Sequence, residues 1–174
     1  IHDEAVLGFM VENLGPKNKD VDESAYLSEK HMRNVLDVIL NQSATKLGMQ
    51  NGKGRTYEGI LTVKSISIAQ KYYELLKKIK NGQDELKISE DIQKALPDFP
   101  KFAITYSISE NEEASTVNQD KMKESLEDYN EMFGTNYKLE AINAYNSNLN
   151  DRLARKEKKY LERSQQLDLV IVVD

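Results

Sequence analysis

The sequence predicts an α/β fold in which helices cover both faces of a parallel sheet. Short apolar runs rich in β-branched residues alternate with segments whose apolar residues recur at helical spacing. The clearest example is residues 58–80, EGILTVKSISIAQKYYELLKKIK. Residues 60–63 predict a buried strand, and the apolar residues of 68–79 share one helical face. Gly82 follows at the position where a left-handed residue ends a helix.

Length and composition indicate one globular domain, residues 1–174, in which residues 1–24 form an N-terminal strand and linker region. Hydrophobic residues make up 39% of the 174 residues and charged residues 30%. No apolar run approaches the roughly 20 residues that span a bilayer, so we expect no membrane partner. The chain has no cysteine, which excludes thiolate metal sites and fits the cytoplasm. His2 and His31 lie far apart in the sequence, so no metal site is predicted.

The remaining elements follow in chain order, and strand order cannot be derived from the pattern. Thr116 and Gln119 have the form of a capping box at the start of a helix. The chain stops at Asp174, at the end of a strand that should be central, so we expect a sheet truncated at the C-terminus. The predicted strands are 6–12, 101–107 and 167–173, and the predicted helices are 27–47, 83–96, 116–133, 139–145 and 149–161.

The carboxyl ends of the strands are the expected place for a ligand, because parallel sheets bind their ligands in the crevice there. The turn 64–67 after the first clear strand carries Ser65 and Ser67, and the strand 101–107 ends in Thr105 and Ser107. Hydroxyl and backbone N–H groups at such positions can bond phosphate oxygens. The net charge of −5 argues against nucleic-acid binding by bulk electrostatics alone.

A basic stretch near the C-terminus has two interpretations. It is either a solvated helix face or a face that contacts phosphates, since lysine and arginine neutralise backbone charge whatever the base sequence. Its members are Arg152, Arg155, Lys156, Lys158, Lys159 and Arg163.

Several segments resemble one family in order and spacing. GILTVKSISIAQKYYELL (59–76) resembles motif IV of superfamily 2 helicases, and LNDRLARKEKKYLERSQQLDLVIVVD (149–174) resembles the basic helix and strand that lead into motif V. LPDFPKFAITYS (96–107) and KMKESLEDYNEMFG (121–134) are similar to the motor (R) subunit of type I restriction–modification enzymes. The resemblance implies a three-layer RecA-like, P-loop NTPase-like fold, and specifically part of the second motor lobe.

The resemblance also implies what the chain does in its parent, an ATP-dependent double-stranded DNA translocase and endonuclease. Of the family's DNA-contacting residues, only Val63, Lys64 and Ser65 of motif IV can be carried over to this sequence. The candidate backbone contacts Ser67, Thr105, Ser107, Arg152 and Arg155 are added from the strand ends and the basic stretch described above. Motif V would start at Val172, Val173 and Asp174.

The same resemblance assigns the chemistry to other parts of the parent. ATP and Mg²⁺ would be bound by the first RecA-like lobe, so this chain would hold no cofactor, metal or catalytic residue and would show no ATPase or nuclease activity alone. Its expected partners are that lobe, the nuclease domain, the modification and specificity subunits, and DNA.

Two alternatives remain at this point. The chain could be the second lobe of another superfamily 2 motor, such as a type III restriction or repair helicase. It could also be a stand-alone α/β interaction module. A P-loop and an acidic motif upstream in the parent would favour a motor.

Overall fold

The computed structural model describes residues 27–42, 58–107 and 115–174. The predicted strand at 6–12 lies outside these ranges. Short 3₁₀ turns cover Leu139–Ala141, Lys158–Leu161 and Arg163–Gln165. The strands and helices are α1 (Glu29–Leu40), β1 (Gly59–Val63), α2 (Ile66–Lys80), α3 (Glu90–Ala95), β2 (Phe102–Thr105), α4 (Ser115–Phe133), α5 (Ile142–Leu153) and β3 (Leu169–Val173).

The three strands form a parallel sheet in the order β1-β3-β2. The last strand in the chain, β3, is therefore the central one, as the apolar run 167–173 predicts. Gly59 and Phe102 both lie opposite Leu169, so the three strands start in register. Helices lie on both sides of this sheet, which confirms the predicted α/β class and fits a truncated RecA-like fold.

The two faces of the sheet carry different helices. Phe102 points towards α2, where its ring lies 5.1 Å from that of Tyr73. Thr105 points to the other face, where its hydroxyl donates to Asn146 of α5. Because side chains alternate along a strand, these contacts assign α2 and α5 to opposite faces. None of the described helices is long and apolar enough to cross a bilayer.

Helix α2 packs along the sheet with the face that the sequence predicts. Ala69, Tyr72, Leu75, Leu76 and Ile79 are all buried. Ser65 caps the helix, since its Oγ accepts a hydrogen bond from the N–H of Ile68 at 3.3 Å. Gly82 ends the segment with φ +70°, as expected for a left-handed stop.

A charged network closes the amino edge of the sheet, the edge at which the strands begin. Asp168 is fully buried and accepts two hydrogen bonds from Arg163, at 2.5 and 2.9 Å. It also accepts one from the backbone N–H of Lys101 at 2.7 Å. Arg163 and the Lys101 ammonium both pair with Asp98 at 2.9 Å. These contacts fix the residues that precede β3 to the start of β2.

An aromatic cluster encloses the C-terminal half of α5. The guanidinium of Arg152 lies 3.8 Å from the ring centroid of Phe133 and 5.0 Å from that of Tyr160. Arg152 also donates to the backbone oxygen of Gln165 at 2.7 Å and to Asn148 at 3.0 Å. This arginine is buried and forms part of the core.

Two predicted helices are shorter than their apolar spacing indicates. The helix predicted over 27–47 ends at Leu40, where the side chain of Asn41 donates to the backbone oxygen of Lys87 at 2.9 Å. The helix predicted over 83–96 covers only Glu90–Ala95. Asp84 prevents an earlier start, because its carboxylate accepts from the N–H of Leu86 at 2.9 Å in a local turn.

Two other boundaries also need correction. The helix assigned to a capping box begins at Ser115, so Thr116 lies within it and is not its N-cap. The separate helices predicted over 139–145 and 149–161 are one element, a 3₁₀ turn that continues into α5. That helix stops at Leu153, and Arg155 follows with φ 45°.

Candidate functional site at the carboxyl edge of the sheet

The carboxyl edge, where the three strands end, brings together most of the residues singled out in the sequence. Val63 lies opposite Val173, and Thr105 lies opposite Val172. The N–H of Asp174 donates to the backbone oxygen of Val63 at 3.0 Å. The turn after β1 and the end of β3 therefore share one edge of the sheet.

The turn between β1 and α2 presents a charge and a helix N-terminus at this edge. Lys64 and Ser67 are exposed, and Ser65 is half-buried. The Ser65 oxygen is occupied as an acceptor by the N–H of Ile68, so its hydroxyl hydrogen remains to be donated. The first N–H groups of a helix have no partner within the helix, and they carry a partial positive charge.

A cleft of about 430 Å³ lies at the same edge, between the ends of β2 and β3 and the start of α5. We call it the amide cleft, because Asn143 and Asn146 line one side. The Thr105 hydroxyl donates to Oδ1 of Asn146 at 2.7 Å and so fixes the orientation of that amide. The lining residues are Thr105, Tyr106, Ser107, Ile142, Asn143, Asn146, Val172 and Val173.

A buried hydrogen-bond network supports the amide cleft from behind. The Tyr106 hydroxyl donates to the backbone oxygen of Asn118 at 2.8 Å and accepts from the Gln70 amide at 3.1 Å. Burial raises the pKa of Tyr106, although the hydrogen bond from Gln70 acts in the opposite direction. The phenol therefore stays protonated at neutral pH. As a donor to Asn118 and an acceptor from Gln70, it joins the end of β2 to α4 and to α2.

Arg152 and Arg155 do not lie at the carboxyl edge. The side chain of Arg155 forms an ion pair with Glu58, which immediately precedes β1 at the amino edge. Arg152 is enclosed by the aromatic cluster, with its donors directed to Asn148 and Gln165. The basic stretch is divided by the end of α5 at Leu153, so its residues do not share one helix face. DNA contact by these arginines stays a prediction, and the geometry gives it no support.

A further cavity, of about 490 Å³, lies away from the predicted residues. It opens between α2 and α4, beside Phe102 at the start of β2. Its Lys77 is paired with Asp128 at 2.6 Å, and Asp128 also accepts from Tyr73 at 2.9 Å. We therefore place the candidate site at the carboxyl edge, where the predicted residues converge.

Comparison with known proteins supplies the family. The model of the family described as type I restriction enzyme subunit R domain 3 matches residues 55–174, which is more than half of the chain. This chain belongs to that family. The match favours the type I reading over another superfamily 2 motor or a stand-alone module.

Curated relatives agree with this subunit R assignment. A type I restriction enzyme endonuclease subunit of Staphylococcus aureus (strain MRSA252) is 26% identical over 190 aligned positions that cover 100% of this chain. An endonuclease subunit of the same type from Staphylococcus saprophyticus is 29% identical over 149 positions, 78% of this chain. The chain spans 18% and 15% of the length of these two relatives.

Sequence reasoning missed the amide side of this subunit R site. Asn143 and Asn146 lie three residues apart, so they share one face of a helix. Asparagine is a poor helix former, because its amide competes for backbone hydrogen bonds. Two asparagines at this spacing in the first turns of a helix are thus a usable signal of a polar role.

Proposed function

We propose that the carboxyl edge of this subunit R domain contacts the phosphate backbone of double-stranded DNA. In the parent, the domain would serve as the second motor lobe of an ATP-dependent DNA translocase and endonuclease. The observation that supports this proposal best is the convergence at one edge of an exposed lysine, the N-terminus of α2 and a cleft lined by amides.

The chemistry of the edge suits a phosphodiester and carries little information about base sequence. Lys64 supplies a point charge, Ser65 and Ser67 supply hydroxyl groups, and α2 supplies unpaired N–H groups. Such contacts position a duplex without reading its bases. Because the chain has a net charge of −5, we expect the isolated domain to bind DNA weakly and with strong salt dependence.

ATP and Mg²⁺ belong to another part of the proposed motor. The described residues contain no group of three histidines or carboxylates that could hold a metal ion, and none of the described turns has the form of a phosphate-binding P-loop. The described residues therefore do not form a binding site for the nucleotide. The first lobe, the nuclease domain, and the modification and specificity subunits are its proposed partners in the parent.

Binding of a short DNA duplex, followed by fluorescence anisotropy over a salt series, tests the proposal. We expect Lys64→Ala to weaken binding several-fold and to reduce the slope of log K against log salt by about 0.9, the value for one lost phosphate contact. Lys94→Ala is the matched control, because Lys94 is an exposed lysine on α3, between the end of α2 and the start of β2. Absence of binding at low salt, or equal effects of both variants, would overturn the proposal.

A further inference from the structure

The amide cleft differs from the rest of the carboxyl edge in having neutral donors. None of its lining side chains is charged. Among the described residues, Ser107 and Asn143 have no hydrogen-bond partner for their side chains, while Asn146 is held by Thr105. The cleft therefore has polar groups available and no charge of its own to attract a counterion.

The hydrogen bond from Thr105 determines what Asn146 offers to a ligand. The Thr105 hydroxyl has a single hydrogen and donates it to Oδ1 of Asn146 at 2.7 Å. The amide oxygen is thus occupied on the side of the sheet. The Nδ2 group, with two N–H bonds, has no hydrogen-bond partner among the described residues, and Asn146 lines the cleft. Asn146 consequently presents donors in a fixed orientation, set by its contact with β2.

The position of α5 adds to the donor character. Asn143 is exposed near the start of this helix and lines the cleft, so its side-chain amide is accessible there. Ser107 adds a hydroxyl on the opposite wall. A ligand that suits these groups is an anion that only accepts hydrogen bonds, and a phosphodiester has this property.

We propose that the amide cleft binds a backbone phosphate of DNA through neutral donors, with Asn146 as the principal donor and Thr105 as its positioning residue. This inference rests on the proposed function and adds a second phosphate subsite at the same edge of the sheet as Lys64. The cleft volume of about 430 Å³ leaves room for a phosphate group and part of the adjoining sugar. The phosphate is fixed there by hydrogen bonds, and the charge at the edge comes from Lys64.

The two subsites predict different salt behaviour, which makes them separable. Loss of a lysine contact reduces the number of counterions released on binding, so the slope of log K against log salt becomes shallower. Loss of a neutral donor weakens binding by the same factor at every salt concentration. The slope therefore distinguishes a phosphate held by Asn146 from one held by Lys64.

The test measures binding of a short duplex to the 174-residue chain between about 50 and 200 mM salt. We expect Asn146→Ala to lower affinity at least about 10-fold with an unchanged slope, the loss of one hydrogen bond to a charged group. We expect Asn146→Asp to lower affinity further, because it keeps an acceptor for Thr105 but replaces both N–H donors with a negative charge. Thr105→Val should have part of the effect of Asn146→Ala.

Asn150→Asp is the matched control, since Asn150 is exposed one turn further along the same helix. Equal loss of affinity in Asn146→Asp and Asn150→Asp would overturn the inference, and so would unchanged affinity in Asn146→Ala. In either case a normal effect of Lys64→Ala would leave the proposed function intact. If the wild-type chain fails to bind DNA, both proposals fall.

A measurement on the wild-type chain tests the inference even if the variants do not fold. In a nitrogen-15 spectrum of the wild-type chain, the side-chain amide signal of Asn146 should shift when the duplex is added. The signal of Asn150 should remain in place. No shift of the Asn146 signal at saturating duplex would overturn the inference without any substitution.

Discussion

The guanidinium of Arg163 holds the buried carboxylate of Asp168 through two hydrogen bonds, at 2.5 and 2.9 Å. The two residues lie immediately before β3, five positions apart. Their ion pair connects the last 3₁₀ turn to the start of the central strand. The same carboxylate accepts from the N–H of Lys101, so three segments of the chain depend on one buried charge.

Removal of this guanidinium should therefore destabilise the domain strongly. We expect Arg163→Met to lower the free energy of unfolding by about 3 kcal/mol, because Asp168 would be left buried without its charged partner. Chemical denaturation followed by circular dichroism measures the change. Lys159→Met serves as control, since Lys159 pairs with Glu157 on the exposed surface and its loss should leave stability unchanged. A similar small effect for both variants would contradict the prediction.

Acid should destabilise the domain through Asp84 and Asp98. Burial acts to raise the pKa of each carboxyl group, but hydrogen bonds from Arg33 to Asp84, and from Lys101 and Arg163 to Asp98, lower both pKa values below 3.8. A depressed pKa contributes stability above the unfolded value, and this stability is lost as pH falls through the folded pKa.

Thermal unfolding at a series of pH values tests this expectation. These two groups should give the melting temperature no pH dependence near neutral pH, and the melting temperature should fall as pH decreases through and below about 4. Asp98→Asn should make this decrease shallower, because one of the two linked groups no longer titrates. A decrease of equal steepness in the variant would argue against a role for Asp98.

Arg152 should matter for stability and not for DNA binding. Its guanidinium stacks 3.8 Å from the centroid of Phe133 and bonds to Gln165. We expect Arg152→Ala to cost about 2–4 kcal/mol of unfolding free energy, since a buried planar group and its hydrogen bonds are lost together. Arg152→Lys should be only slightly better, because an ammonium cannot reproduce the planar fork.

DNA affinity gives the second measurement on these Arg152 variants. At a temperature where both remain folded, they should bind the duplex with wild-type affinity and wild-type salt slope. A slope reduced by about 0.9 in Arg152→Ala, with the fold intact, would instead show that Arg152 contacts DNA.

The isolated chain should hydrolyse no ATP, with or without DNA. The groups that would bind the nucleotide belong to the first lobe of the proposed motor, and the described residues have no cluster that could hold a metal ion. A coupled phosphate-release assay on the purified chain measures turnover. Activity above the buffer level that co-purifies with the chain, and persists in a second preparation, would reject the prediction.

The sequence was informative where a local pattern determines local structure. The apolar face of α2 and the left-handed Gly82 follow from spacing and backbone preference alone. The order of the strands does not, because it depends on which crossover packs beside which strand. Leu86 and Ile88 have helical spacing, but the turn at Asp84 overrides it through a side-chain hydrogen bond to the backbone.

The site shows the same division. Parallel strands bring Lys64 and Asp174 to one edge by geometry that the pattern contains. Arg152 is predicted to contact the DNA backbone because lysine and arginine neutralise its charge. Its burial depends on rings from α4 and from the following 3₁₀ turn, residues that are near it only in the folded chain. Asn146 depends in turn on Thr105, which lies 41 positions earlier.

Helix α5 runs from the carboxyl edge of the sheet towards its amino edge. Its first turns contribute Asn143 and Asn146 to the amide cleft. Arg152 lies six residues after Asn146, about 9 Å along the helix axis, and packs among aromatic rings. The Tyr145 hydroxyl donates to the backbone oxygen of Ile104 at 2.8 Å, and this bond holds the first turns of the helix on β2. Loss of the Arg152 contacts would therefore leave Asn146 beside Thr105, so stability and phosphate binding depend on different ends of one helix.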